Sequence, residues 1–543
     1  MNPDDLILIP ARAGTSNLSR QNLRLVNDKP LIYYVIKTAL KYTKNVYVST
    51  DSDEIKQVSI LYGAKVIQRP KHLTKNNTTL DEIAFDALTK LQKKSFKKCL
   101  ILNPKYPLIQ LSTIRKFFSL LKKNVQTIYG YEVIPHHQYK QIHFISKDFG
   151  KITKDLNNCV VTEKIVSFNC DLFFKERKLQ SPFYGLKLTQ NEPLALDSYH
   201  DFGILEKILD RKRILVRVDG SHKIGLGHVH NMLTILNHFR NEEIMIVMDI
   251  KNRLGYKKFQ EHLYHVKFFK DNLELFKIIK QFKPNLIFND VLDTSSNYMK
   301  QIKQEKIFIV NFEDLGPGRR YADLVFNPIY HSEKIYPNEH YGPDFACVRD
   351  EFRIWNSSLL RKSPKNAVLI FGGLDPTNRT YHVLKLIEKY NFKDIKFSVI
   401  IGQGYKERKK LVKLIQIMKK NHFQIELKEN MDFLSKTFQD SDFAITSNGR
   451  TVFELGSLHI PMIVIPVNKR ETKHTFVQKN NVGYIVQLEN KSKTHNFLNS
   501  FNSMLEYENR EKFHNNLKQL NLLNGVDRVV QKINSSFEIR NKK

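Results

Sequence analysis

The chain has 543 residues, too many for one hydrophobic core, and 41% of them are hydrophobic, enough for ordinary globular interiors. Its formal net charge is +32, but lysine and arginine are spread along the chain in short clusters such as Arg408-Lys409-Lys410 and Lys542-Lys543. That spread excludes a dedicated basic arm and argues against nucleic acid as a partner, while leaving attraction for phosphorylated small molecules. No apolar run reaches the roughly 18 residues that cross a bilayer. The acidic start, Met1-Asn2-Pro3-Asp4-Asp5, lacks the basic region of a cleavable signal. No transmembrane segment and a cytoplasmic location are therefore expected. Cys99, Cys159, Cys170 and Cys347 include no CxxC pair, so they read as small buried hydrophobes, not as a disulfide framework or zinc site.

Taken in order, short apolar runs alternate with helix-like stretches. Leu6–Pro10, Val46–Ser49, Lys65–Gln68 and Cys99–Asn103 predict strands, and Pro30–Tyr42, Asp53–Tyr62 and Leu80–Lys93 predict helices. A charged stretch, Glu206–Arg213, precedes a second series of strands: Ile214–Val218, Glu243–Met248, Asn285–Asn289 and Lys306–Asn311. The chain turns polar at Arg361–Lys365. A third series follows, with Ala367–Phe371, Ile395–Ile401, Phe443–Thr446 and Met462–Pro466. Strand–helix alternation predicts mostly parallel sheets covered by helices, with ligands beyond the carboxyl ends of the strands. The predicted division is 1–210, 213–360 and 365–535.

In the first series, Ile9-Pro10-Ala11-Arg12-Ala13-Gly14 follows a strand directly. Such a turn can offer backbone N–H groups and an arginine to a triphosphate, although an ordinary strand–helix turn has the same look. Further on stand Asn22-Leu23-Arg24-Leu25, Lys29-Pro30-Leu31-Ile32, Val48-Ser49-Thr50-Asp51-Ser52-Asp53-Glu54-Ile55, Gly63-Ala64, Arg69-Pro70 and Asp81-Glu82. This ordered set, over roughly residues 5–210, resembles the CMP-sialic-acid and CMP-KDO synthetases. The resemblance implies a nucleotidyltransferase-like, Rossmann-like α/β sheet domain. It also implies CTP held by Arg12, Gly14 and Asn22, a nonulosonic acid as second substrate, and Mg²⁺ on Asp197 and Asp201. Several positions depart from the family pattern. Thr15-Ser16 replace a Ser-Lys pair, Gln21 replaces a lysine, and Asn103-Pro104-Lys105-Tyr106-Pro107-Leu108-Ile109 replaces a Gln-Pro-Thr-Ser-Pro-Leu-Arg stretch. The family's late Asp-x-Asp motif appears here as Ala195-Leu196-Asp197, without its first aspartate, with Asp201 beyond. An active cytidylyltransferase and a scaffold that has lost the chemistry both remain open.

In the second series, Gly225-Leu226-Gly227-His228 opens a helix-like run, Val229–Phe239. Two glycines let backbone approach a ligand closely. His228 could take a proton from water, and a helix N-terminus would hold its pKa down; a structural histidine capping a turn is the plain alternative. Val218-Asp219-Gly220-Ser221 with this motif resembles the N-terminal signature of the UDP-sugar hydrolase of pseudaminic acid synthesis. Asn289-Asp290, Leu292-Asp293-Thr294, Asn311-Phe312-Glu313-Asp314, Ala322-Asp323-Leu324 and Arg349-Asp350-Glu351-Phe352 continue the likeness. The resemblance implies that His228 activates water at the anomeric carbon. Val291-Leu292 stand where that family usually has an aromatic residue.

In the third series, Phe371-Gly372-Gly373 follows a strand, and Ser447-Asn448-Gly449-Arg450-Thr451-Val452-Phe453-Glu454 follows another. The latter resembles the donor-binding stretch of GT-B glycosyltransferases. The implied UDP-sugar contacts are Gly225, Gly227, Gly372, Gly373, Ser447, Asn448, Gly449, Arg450 and Glu454. Arg450 would meet phosphate, and Glu454, placed about two helical turns from the loop, would meet the ribose. The whole chain thus reads as a nucleotidyltransferase-like domain followed by a GT-B-like pair of α/β domains. Its expected role is nucleotide-sugar metabolism, by UDP-sugar hydrolysis or by glycosyl transfer, with no cofactor needed in the second part. A homo-oligomer is compatible with the sequence but not specified by it.

Overall fold

In the computed structural model the described residues are 4–13, 18–75, 77–91, 96–122, 124–133, 149–151, 159–179, 181, 183–189, 191–221, 225–330, 335–355, 358–402, 404–431, 433–488 and 491–542. The chain divides between Asp210 and Arg211 into two compact units.

The first unit is built on one mixed sheet. Lys65–Gln68, Val46–Thr50, Asp5–Pro10 and Lys98–Leu102 lie side by side and parallel. The fully buried run Asp5–Pro10 takes the interior place, as a continuous apolar strand must when helices cover both faces. The far half of the sheet departs from the parallel expectation: Cys159–Asn169 runs antiparallel to both Lys98–Leu102 and Thr127–Val133. Local chemistry sets the helix starts. Ser52 accepts the N–H of Ile55, and Thr79 and Glu82 form a reciprocal capping box at Leu80–Lys90.

The second unit holds two wholly parallel sheets. The first has seven strands in the order His265–Phe269, Glu243–Asp249, Arg213–Val218, Leu286–Asp290, Phe308–Phe312, Leu324–Asn327, Glu339–Tyr341. The second has six: Ile425–Glu429, Lys396–Ile401, Asn366–Ile370, Phe443–Thr446, Met462–Val464, Gly483–Ile485. In each, the sequence order reverses beside the first strand of its series, so loops diverge there and leave a crevice at the carboxyl ends.

One boundary differs from the sequence reading. The last helix, Gly525–Lys542, does not stay with residues 365–535. Its Val526, Val529 and Ile533 join Ile214, Val216, Met232 and Phe288 in the core of the seven-stranded sheet. The chain therefore closes back on the earlier half. The crossover depends on a tight contact: a Cβ on Gly525 would lie 2.0 Å from the Ala346 carbonyl oxygen. Because backbone cannot yield as a side-chain tip can, Gly525→Ala is expected to destabilise the second unit by about 3 kcal/mol. Thermal unfolding followed transition by transition checks this; the first unit's transition should not move.

Among the described residues no helix is long and apolar enough to cross a membrane. Cys99 and Cys170 are buried and free, and Cys347 is free and half-buried; the side chain of Cys159 lies outside the described residues.

Candidate functional site

The crevice of the seven-stranded sheet opens between Arg213–Val218 and Leu286–Asp290. The loop after the first strand leads to the helix Gly227–Leu236, whose second residue is His228. The second strand ends on Asp290, which is fully buried. Nδ1 of His228 lies 2.5 Å from Asp290 Oδ1, and Asp290 Oδ2 accepts a hydrogen bond of 2.7 Å from Asn231 Nδ2. A carboxylate on Nδ1 keeps the proton on that nitrogen and leaves Nε2 as the basic atom. Asn231, three residues along the same helix, fixes the other carboxylate oxygen.

Burial pushes the His228 pKa down, but the Asp290 charge, its hydrogen bond and the Glu313 charge outweigh burial, and the net shift is upward. This corrects the expectation of a depressed pKa. A helix terminus contributes about 0.3–1 kcal/mol, and a carboxylate in direct contact contributes more.

The second half of the unit supplies the opposite wall. Gly372 sits at φ 71°, a left-handed turn that favours glycine, with open space beside it and beside Gly373. Behind them Asp375 accepts the N–H groups of Arg379 and Thr380 at 2.7 and 2.8 Å, pinning the start of the helix Arg379–Lys389. A Cβ on Gly225 would come within 3.8 Å of Leu374, and one on Gly227 within 3.7 Å of Arg450 Cδ. The two glycine turns thus face each other across the crevice.

Arg450, expected on phosphate, meets carboxylates. Its Nη2 is 2.8 Å from Glu313 Oε1 and 3.9 Å from Asp290 Oδ2. Burial works against the guanidinium charge, but Glu313 and Asp290 more than offset it. The half-buried Cys347 thiol is pushed up to about 12, by burial first, and stays neutral beside this cluster. A second arginine crosses further out: Arg470 Nη1 is 3.0 Å from each Asp293 oxygen, and its Nη2 donates to the Glu313 carbonyl at 2.6 Å.

Other sequence candidates take different places. Asn448 is buried, and its side-chain N–H groups go to the carbonyls of Glu471 and His474 at 2.9 and 2.8 Å. It holds the loop's shape from within. Ser447 is buried beside it, and Gly449 lies where a Cβ would be 3.7 Å from Glu471 Oε1. Glu454 sits in the first turn of the helix Thr451–Ser457, one turn from the loop and not two. Its Oε1 accepts from Arg349 Nε at 2.8 Å. Sequence reasoning did not single out Asp290, Glu313 or Arg349. The available signal was position: Asp290 ends one central strand, and Glu313 follows the next.

In the first unit, the Arg12 loop leaves the end of Asp5–Pro10. Arg12 Nη1 donates to the Thr74 carbonyl at 2.9 Å, and Asn22 Nδ2 donates to the Arg12 carbonyl at 3.1 Å. Asn22 therefore shapes this loop through the backbone. Gly14 lies outside the described residues. The Ala13 N–H reaches Asp51 Oδ1 at 3.1 Å. Buried Arg69 donates to Ser49 Oγ and to its carbonyl at 3.1 and 2.7 Å. Burial, with Arg12 nearby, brings the Arg69 pKa down to about 10, although Asp51 opposes this.

The two aspartates do not converge as a metal site. Asp201 Oδ2 accepts from the N–H groups of Asp197 and Ser198 and from the Ser198 hydroxyl, capping the helix Tyr199–Leu209. Asp197 pairs with Lys105. Among the described residues no group of three His, Cys, Asp or Glu side chains could hold a metal. The positive charge opposite Asp197 is an ammonium.

Two parallel-sheet halves facing across a crevice, with a histidine–aspartate pair on one wall and glycine turns on the other, define the second unit as a two-lobed α/β body. Residues 6–168 match the family model described as cytidylyltransferase. The first unit thus carries a cytidylyltransferase domain, fused in one chain to the two-lobed unit. An uncharacterized protein of Methanocaldococcus jannaschii is 30% identical over 287 residues, covering 49% of this chain and 58% of its own length. That share exceeds the first unit, so the match includes part of the second. The CMP-N,N'-diacetyllegionaminic acid synthase of Legionella pneumophila is 37% identical over 115 residues, 20% of this chain and 50% of that protein. The chain thus spans only half to three-fifths of the length of these two relatives. Among solved structures, Acinetobacter baumannii MurG has a TM-score of 0.46 at 12% identity, covering 60% of this chain and 99% of MurG.

Proposed function

We propose that the second unit binds a UDP-sugar in its crevice and hydrolyses it, with His228 as the base. The observation that carries this reading is the Asp290–His228 pair at the strand-order reversal, facing the open glycine turns Gly372-Gly373 and Arg450. Nε2 of His228 takes a proton from water as the water oxygen bonds to the anomeric carbon, and the bond to UDP breaks. Asp290 steadies the imidazolium that forms. The pyrophosphate lies against Gly372, Gly373, Gly449 and Arg450, where backbone N–H groups and a guanidinium can meet it.

The first unit acts on CTP and a nonulosonic-acid-type sugar in the same reading. The family match over residues 6–168 supports it, as does the synthase relative. Arg12 and Lys105 supply positive charge at the carboxyl ends of the sheet. Together the units would serve two steps of surface-glycan precursor synthesis. The test is UDP release from UDP-sugars with and without acceptor sugars. Release without acceptor supports hydrolysis; release only with acceptor makes the unit a glycosyltransferase.

Ligand-induced stabilisation separates the units. CTP should raise the first unit's transition and UDP the second's, each by about 2.7 kcal/mol at 100 times Kd. Arg12→Ala should abolish the CTP shift and leave the UDP shift intact. Retention of the CTP shift would remove Arg12 from the site.

A further inference from the structure

Resting on the UDP-sugar reading of the crevice, we propose that Glu313 is a positioning residue that holds Arg450 in reserve and surrenders it to the nucleotide's diphosphate. Glu313 follows the central strand Phe308–Phe312 and adopts φ 53°, a left-handed conformation that costs a non-glycine residue on the order of 1 kcal/mol or more. The strain is sustained by backbone bonds on both sides: its N–H donates to the Phe326 carbonyl at 2.8 Å, and its carbonyl receives Arg470 Nη2 at 2.6 Å. The result is a carboxylate 4% exposed and aimed at Arg450.

The pair is close but incompletely satisfied. Arg450 Nη2 and Glu313 Oε1 are 2.8 Å apart, yet neither atom has a hydrogen bond among the described residues. A buried guanidinium that lacks a well-aligned partner gains by moving to one, and a diphosphate accepts planar N–H pairs well. The Arg450 side chain is 20% exposed, against 4% for Glu313, so it is the partner able to turn toward the crevice. Its aliphatic stem passes beside Gly227, where an added Cβ would lie 3.7 Å from Arg450 Cδ. Release of Arg450 also removes a positive charge from beside Asp290, whose oxygen lies 3.9 Å from Nη2. Arrival of the diphosphate therefore leaves Asp290 to His228 and Asn231. The empty crevice keeps its cation neutralised, and the filled one gives it to substrate.

The test is UDP affinity by calorimetry on the full-length chain. Glu313→Gln removes the carboxylate that competes for Arg450, so UDP should bind roughly tenfold tighter, although the protein loses an ion pair. A purely structural role predicts weaker binding. Glu313→Asp, which keeps the charge, should restore affinity toward that of the parent chain. In an Arg450→Gln background the Glu313→Gln effect should vanish. Circular dichroism and thermal unfolding confirm that each variant is folded, and if Glu313→Gln does not fold, Arg450→Gln alone still decides: UDP affinity must fall at least tenfold. Unchanged or weaker UDP binding by folded Glu313→Gln, or full affinity in Arg450→Gln, overturns the proposal. Absence of UDP binding by the parent chain would instead reject the UDP-sugar reading itself.

Discussion

Substituting His228 by alanine is expected to lower the rate of UDP release by a factor on the order of 10³ while leaving UDP affinity roughly unchanged. The imidazole is 6% exposed, and its Nδ1 is committed to Asp290. Its contribution is therefore concentrated in proton transfer at Nε2, and the diphosphate contacts assigned to the glycine turns and Arg450 survive its loss. Rates at saturating UDP-sugar, with UDP affinity measured on the same preparation, separate the two effects. A parallel loss of affinity and rate would mean that His228 binds substrate and does not act as the base.

The second large effect is expected from Asp290→Asn. The asparagine is nearly the same size, and Asn231 can still contact it. The imidazole, however, loses the charge that fixes its proton on Nδ1 and stabilises the imidazolium. A loss of about 10²–10⁴ in rate is expected, by analogy with the tautomer argument for aspartate–histidine pairs in general. The pH profile provides the sharper reading. In the parent chain His228 titrates above its ordinary value because Asp290 and Glu313 outweigh burial. The rate should therefore rise with pH through a midpoint above about 6.5. In Asp290→Asn the opposing burial remains while the main carboxylate is gone, so the midpoint should move down. Stability follows the same linkage. A raised folded-state pKa contributes stabilisation that is fully present below about 6.5, the unfolded value, and is lost as pH rises through the folded pKa. The parent second unit should lose that contribution on going alkaline, and Asp290→Asn should lack it. A midpoint that does not move would show that Asp290 is not the group setting the protonation of His228.

Both predictions depend on residues that differed in how plainly they could be read. Gly225, Gly227 and His228 form a contiguous motif at the start of a helix, and contiguity is what a linear reading detects. Asp290 and Glu313 were visible only as members of longer motifs. Each becomes functional because a parallel sheet brings the ends of Arg213–Val218, Leu286–Asp290 and Phe308–Phe312 to one edge. Sixty-two residues separate His228 from Asp290, and no local pattern encodes that contact. Arg450 and Glu454 stand in one motif as a cation and a carboxylate, but their partners lie far away in the chain. Glu313 approaches Arg450 from the other sheet, and Arg349 reaches Glu454 from 105 residues earlier in the chain.

The sequence by itself determined the alternation of strands and helices, the break near residue 210 and the glycine turns that end central strands. These follow from hydrophobic periodicity, capping residues and backbone freedom, all of which act over a few residues. Tertiary structure alone decided three things. It returned the last helix to the earlier sheet, because Val526, Val529 and Ile533 need an apolar face that only that sheet offers. It turned Asp201 into a helix cap and set Lys105 against Asp197, because buried or partly buried charge takes the nearest complementary group. And it raised the His228 pKa, because electrostatic effects depend on distance in space and not on separation along the chain.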